Sequence, residues 1–134
     1  MLQSRATSNS VVARIIGIVG CLAVAMIHII DQGGLLGSKN PEYVQILYYL
    51  LEAASIVTAA LLLARDTRLG WLLSLGVATG PIAGYVLSRG PGLPDYYDDV
   101  GNWTEPLGVI SLIVEGLLLI FAAMCVLASH HRAG

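Results

Sequence analysis

Residues 106–128 read PLGVISLIVEGLLLIFAAMCVLA, an apolar run opened by Pro106 and interrupted by one charge, Glu115. A helix needs about 20 apolar residues to cross the hydrocarbon core of a bilayer, so this run is long enough to span one. Three more runs of that kind precede it, at residues 11–30, 43–64 and 69–87, and the second also carries a lone carboxylate, Glu52. The reading that follows is an all-α, four-transmembrane-helix antiparallel bundle, a single domain over residues 1–134.

The composition agrees. Only 12% of the 134 residues are charged and 56% are hydrophobic, whereas soluble proteins carry about 25% charged residues. A net charge of -2 leaves no basic surface for nucleic acid, so the expected surroundings are a lipid bilayer and other membrane subunits. Cys21 and Cys125 lie in separate apolar runs and make neither a CxxC pair nor a zinc pattern, which speaks against a membrane thiol oxidoreductase.

Punctuation marks the helix ends. Asn40 before Pro41 reads as an N-cap with proline at the first helical position. Asp66 or Thr67 can cap the third helix, and Thr104 with Glu105 the fourth. The first run has the basic flank of a signal peptide, but no small-x-small site precedes Asp31-Gln32-Gly33-Gly34, so it is expected to stay as a membrane helix. Lys and Arg are retained on the cytoplasmic side. Arg5, Arg14, Arg65, Arg68 and Arg132 fall on one side and only Lys39 and Arg89 on the other, which predicts an inner-membrane protein with both termini cytoplasmic. The opposite, outer side holds Asp31, Glu42, Asp95, Asp98, Asp99 and Glu105, and all six tyrosines lie in that half. His130 and His131 read as a solvated tail.

Positions three, four and seven apart share a helix face. Gln45, Tyr48, Glu52, Ser55 and Ala59 form such a stripe, as do Gly108, Ser111, Glu115 and Ala122, then Gly17, Cys21, Ala25, His28 and Asp31 or Gln32, and Ala78, Pro81, Tyr85 and Ser88 or Arg89. Glu52 lies nine residues below Tyr43, and Glu115 nine below Pro106. Each is therefore about 14 Å inward at 1.5 Å per residue. His28 leans inward and both glutamates outward, since side chains lean toward their helix N-terminus, so the three should converge, with Tyr48, Tyr85, Ser111 and Arg89 around them. Charge at that depth is costly and usually functional.

Three uses of such a cluster are open. His28, Glu52 and Glu115 are donors suited to a divalent transition metal, completed by Asp31, a tyrosine or water, although the Glu-x-x-His pairs of di-metal bundles are missing. Two carboxylates in a low dielectric can instead share a proton and exchange it for a cation. Or both can be hydrogen-bonded to Tyr, Ser or Arg89 and lock the bundle. Arg89 is expected either to reach the headgroups or to turn inward to Glu115 or Asp31. Gly76, Gly80, Gly84 and Ser88 form a small-residue seam, expected to pack inside the bundle, with a contact to another subunit as the alternative. Pro81 within it should kink the helix.

The stretch Gly84-Tyr85-Val86-Leu87-Ser88-Arg89, followed by Gly92-Leu93-Pro94 and Trp103-Thr104-Glu105-Pro106-Leu107-Gly108, resembles a pattern in small four-helix bacterial membrane proteins of no assigned function. It covers about the last third of the chain. The resemblance implies a bacterial inner membrane and a defined outer loop joined to the fourth helix, and it implies no activity or cofactor. The expected role is non-enzymatic, with no catalytic residues: a cation-binding or accessory subunit, working as a homo-oligomer or with other membrane subunits. A proton-coupled transporter acting as a dimer comes second, and a metal-dependent membrane oxidoreductase subunit third.

Overall fold

Ser10 begins the described part of the chain. Its hydroxyl accepts a hydrogen bond from the Ala13 amide at 3.0 Å, which satisfies one of the free N–H groups of a starting helix. From there the computed structural model, which describes the backbone of residues 10–133 and the side chains through Ala128, runs as four helices. They are α1 (Val11–Asp31), α2 (Glu42–Leu63), α3 (Thr67–Arg89) and α4 (Pro106–Ala133), all long and apolar enough to cross a membrane. No β-strand forms among the described residues. The expectations for Arg5, and for the side chains of His130, His131 and Arg132, lie outside the described residues. The backbone of α4 continues in helix to Ala133, beyond the expected end at residue 128.

Two turns show how the chain reverses. After α1, the Gly34 amide bonds back to Ile29 and the Gly33 amide to Ile30, with Gly33 at φ +96. After α2, the Asp66 amide reaches Leu61 and the Arg65 amide Leu62, with Arg65 at φ +69. The bonding is the same left-handed helix stop, built once on glycine and once on a residue with a Cβ. Arg14 of α1 completes the second one, because its Nε donates to the Leu62 carbonyl at 2.8 Å and its Nη2 to Leu63 at 2.7 Å. With Ala64 N–H on the Ala60 carbonyl, every one of the last four carbonyls of α2 has a donor. The cap expected at Asn40 is displaced by one residue: Pro41 takes the N-cap position and Glu42 starts α2, with no side-chain cap bond.

Around the bundle α1 packs on α2, α2 on α3, α3 on α4 and α4 on α1, and α1 also touches α3 across the middle, while α2 and α4 scarcely meet. The end holding the α2–α3 turn, here the proximal end, has an apolar core of Ala13, Leu62, Trp71, Ala122 and Cys125. Trp71 is fully buried, its ring edge-on to Phe121 with centroids 5.6 Å apart. Gly17 makes room for it, since a Cβ there would lie 2.6 Å from the Trp71 ring. A second apolar cluster, Cys21, Val24, Ala59, Val77, Ala78 and Leu118, fills the middle. The distal end, where the α1–α2 and α3–α4 loops sit, is built of polar side chains.

The four stripes drawn from helical spacing do point inward, with Cys21, His28, Glu52, Ser55, Ala78, Tyr85, Ser111 and Glu115 all buried. The small-residue seam does not pack as expected. A Cβ at Gly76, Gly80 or Gly84 would meet nothing within 4 Å, so within the chain no helix approaches α3 along this line. The close approaches occur instead at Gly17, Gly70 and Gly108. α3 runs continuously through Pro81.

Candidate functional site

The distal half encloses a cavity of about 250 Å³ to which all four helices and the α3–α4 loop contribute. His28 and Asp31 enter from the last turn of α1, Tyr48 from α2, Tyr85 and Arg89 from α3, Ser111 from α4, and Tyr96 and Asp99 from the loop. Between these polar groups the wall is aliphatic, made by Leu47, Leu51, Pro81 and Leu107 among others.

His28 fixes the geometry of the floor. Its Nδ1 lies 2.8 Å from the Val24 carbonyl oxygen. A carbonyl only accepts, so Nδ1 carries a proton and donates, and in the neutral ring Nε2 then keeps its lone pair. That Nε2 stands 3.9 Å from Glu115 Oε2, too far for a direct hydrogen bond. The Ser111 hydroxyl, one turn earlier on α4, donates to the same Glu115 oxygen at 2.5 Å. Of the three groups expected to converge, His28 and Glu115 are brought near one another, with Ser111 beside them.

Glu52 does not join them. It is buried, and its Oε1 has no hydrogen-bond partner. The two glutamates stand on α2 and α4, the two helices that scarcely meet. Helical spacing assigns a face to each residue; it does not say which helices are neighbours. The hydrogen-bonded lock expected for Glu52 is thus not formed at Oε1. Among the described residues no three His, Cys, Asp or Glu side chains gather where they could hold a metal ion, so His28, Glu52 and Glu115 do not form the ligand set drawn for them.

Asp31 is engaged at the rim. Its Oδ2 accepts from the Tyr48 hydroxyl at 2.5 Å and pairs with the Lys39 ammonium at 3.2 Å. Lys39 Nζ also lies 5.4 Å from the centroid of the Tyr48 ring, and that ring meets His28 edge-on at 5.3 Å. The loop that carries Lys39 is pinned from below. The Lys39 amide donates to Gln45 Oε1, Gln45 Nε2 donates to Gln32 Oε1 at 3.1 Å, and Gln32 Nε2 donates to the Gly34 carbonyl at 2.9 Å.

Arg89 turns neither to Glu115 nor to Asp31. It binds Glu105 Oε2 through Nη2 at 2.9 Å and faces Asp99 Oδ2 at 3.8 Å, with its guanidinium 4.2 Å from the Tyr85 ring centroid. The reason lies in the loop, which folds back over the end of α3: the Gly101 amide bonds to the Arg89 carbonyl, and the Tyr85 hydroxyl donates to the Trp103 carbonyl at 2.5 Å. Tyr96 donates to Asp99 Oδ2 at 2.8 Å. Burial and that bond hold its phenol above the ordinary tyrosine range. Tyr96, Asp99 and Lys39 were not singled out as site residues from the sequence. They sit in loops without periodicity; the density of Tyr and Asp at residues 95–99 marks Tyr96 and Asp99, and Lys39 carries no such signal.

Comparison of the chain with protein-family models, with curated proteins and with solved structures gave no match. The chemistry of the site rests on these residues alone.

Proposed function

We propose that this chain is a small multi-pass protein of a bacterial inner membrane whose distal cavity faces outward and binds a cation, acting as an accessory subunit within a homo-oligomer or a larger membrane complex. The cavity itself carries this reading: carboxylates at the rim, tyrosine hydroxyls and ring faces beside them, and His28 and Ser111 in its wall, with Glu115 held against both. Asp31 and Asp99 line it; Arg89 in its wall is shared between Glu105 and Asp99, and at the rim Asp31 already holds a cation, the Lys39 ammonium. The charge distribution supports the orientation, because Arg14, Arg65 and Arg68 sit toward the proximal end while the distal end is rich in Asp and Glu.

The experiment is cation binding to purified protein in nanodiscs, together with orientation in intact cells. Because Cys21 and Cys125 are both buried, single cysteines at Ser38, Asp98 and Arg68 report topology cleanly. Labelling from outside at Ser38 and Asp98 but not at Arg68 is expected, and the reverse would turn the cavity toward the cytoplasm. Asp31→Asn and Glu115→Gln should each weaken cation binding; unchanged binding in both would remove the reading.

A second reading, proton-coupled exchange by a dimer, is favoured by one observation, the buried Glu52 oxygen with no partner. Leaving a buried polar group unsatisfied costs about 1–3 kcal/mol, so a purely structural Glu52 is a liability. Glu52→Leu should then raise stability if the residue serves only packing. In proteoliposomes, loss of pH-gradient-driven cation movement in Glu52→Gln, with cation binding retained, is the result expected for a coupling residue.

A further inference from the structure

The proposed cation site has two parts of different chemistry, and they lie side by side. At the rim is an ammonium already in place. Lys39 Nζ rests 3.2 Å from Asp31 Oδ2 and over the Tyr48 ring. It arrives on a loop rather than on a helix, from a backbone held by Gln45. The groups around it are those that recognise a protonated amine: a carboxylate, a phenol oriented by that carboxylate, and the face of an aromatic ring.

Below the rim the chemistry changes. Leu47 and Leu51 of α2 face the cavity from one side, and Gly80, Pro81 and Gly84 of α3 from the other. Gly80 and Leu47 are also exposed on the outside of the bundle, so the cavity reaches the surface between α2 and α3. A Cβ at Gly80 or Gly84 would meet nothing within 4 Å. The small residues therefore keep a slot open along α3, with Gly80 nine residues, about 14 Å, below Arg89.

A bare inorganic ion has no use for that slot, because it needs several oxygen or nitrogen donors around one point. The described residues offer no cluster of three His, Cys, Asp or Glu side chains. Resting on the cation-binding reading above, we infer that the ligand is an amphiphilic organic cation: a protonated amine bound at Asp31 and Tyr48 in place of the Lys39 ammonium, with its apolar chain in the slot over Gly80 and Gly84. Lys39 is then a tethered competitor that the ligand displaces. The cavity is smaller than the roughly 300–1,000 Å³ that holds drug-sized ligands, so the amine is a small one or leaves part of its chain in the lipid between α2 and α3.

The test is calorimetric titration of the intact protein in phosphatidylcholine-only nanodiscs, against empty nanodiscs, with n-hexylammonium, methylammonium, 1-hexanol and sodium chloride as probes. Hexylammonium should bind at least about tenfold more tightly than 1-hexanol, which lacks the charge, and than methylammonium, which lacks the chain. Asp31→Asn should weaken hexylammonium by about tenfold or more, and Lys39→Ala should strengthen it several-fold. Gly80→Leu puts bulk into the slot from a position where a Cβ meets nothing within 4 Å, so it should bring hexylammonium down to the affinity of methylammonium while leaving methylammonium unchanged.

The chemistry is shared by a lipid headgroup amine and by a free amine. Doping the nanodiscs with phosphatidylethanolamine separates them: competition with hexylammonium assigns the site to lipid, and its absence to a free amine. The inference is overturned if 1-hexanol binds as tightly as hexylammonium, or if Lys39→Ala and Gly80→Leu both leave the hexylammonium affinity unchanged in folded protein. Binding of sodium alone, lost in Asp31→Asn, would keep the cation site and remove the amine. Binding of no probe would remove both.

Discussion

At the proximal end of the bundle a glycine stands against a tryptophan, and along the α3 wall of the cavity two glycines stand against nothing. A Cβ at Gly17 would come within 2.6 Å of the Trp71 ring, whereas one at Gly80 or Gly84 would find no atom within 4 Å. Both sets lie on transmembrane-length helices, and both look alike as small-residue positions. In lipid there is little hydrophobic drive between helices, so close van der Waals contact has to hold them together, and Gly17 allows it. Where the helices are held instead by paired charges and tyrosine hydroxyls at the loops, contact along the helices can be given up and a cavity left. Fold strength and site chemistry have been placed at opposite ends of the same four helices.

The largest expected effect tests that division directly. Trp71→Ala empties a fully buried position in the proximal core and should cost about 3–5 kcal/mol. Gly17→Ala forces the ring aside and should cost about 1–3 kcal/mol. Gly84→Ala, on the open seam, should change stability by less than about 1 kcal/mol. Thermal unfolding in one detergent, read by near-ultraviolet circular dichroism, compares all three. If Gly84→Ala costs as much as Gly17→Ala, the seam is a packed surface, and a mass measurement on Gly76→Leu, which lies on the seam outside the cavity, would then show whether another copy packs there.

How much of this the residues announced also divides along the axis. The spans lay within a few residues of the helices found, because length and apolarity alone decide whether a segment can cross a bilayer. The inward stripes were legible for the same kind of reason: a helix repeats every 3.6 residues, whatever surrounds it. His28 and Glu115 came together because lean and depth are properties of single helices. The pairing of Glu52 with Glu115 could not be read so, since it depends on which helices share an edge, and α2 and α4 do not. The partner of Arg89 was hidden for a similar reason, Glu105 being brought back by a loop with no period to follow.

The distal end should respond locally where the proximal end responds globally. Arg89→Gln removes the ion pairs to Glu105 and Asp99. Both carboxylates are partly solvated, so screening limits the cost to about 1–2 kcal/mol. Faster amide exchange at residues 90–105, with little change around Trp71, is the expected pattern; loss of protection at both ends together would mean that the loop holds the whole bundle. Tyr96→Phe should loosen the same loop by less, about 0.5–1.5 kcal/mol. Its phenol is raised by burial and by its bond to Asp99, so the neutral form is the one that stabilises. That contribution is fully present below the ordinary tyrosine pKa of about 10 and lost only as pH climbs through the higher folded value.

Arg14 links one helix to the end of another at the proximal turn, and Arg14→Met should cost about 1–2 kcal/mol because the Leu62 and Leu63 carbonyls lose charged donors. The same variant retains an unbranched apolar stem, so the loss can be assigned to the guanidinium. If the stability of Arg14→Met matches the wild type, lipid or water supplies those carbonyls equally well, and the proximal end is then held by packing alone.

The smallest effect concerns the turn itself. Arg65 at φ +69 occupies the position that Gly33 fills at φ +96 in the corresponding stop of α1. A residue with a Cβ in that conformation brings the Cβ close to its carbonyl oxygen, and glycine avoids the clash. Arg65 is exposed, and its backbone amide, which glycine retains, makes the bond to Leu62. Arg65→Gly should therefore gain up to about 1 kcal/mol from relieved strain, offset in part by the greater entropy of glycine in the unfolded chain. Arg65→Ala separates the two contributions, since it removes the guanidinium but keeps the Cβ: it should show no gain. If Arg65→Ala gains as much as Arg65→Gly, the charge rather than the backbone is the source, and the two helix stops would differ in electrostatics and not in strain.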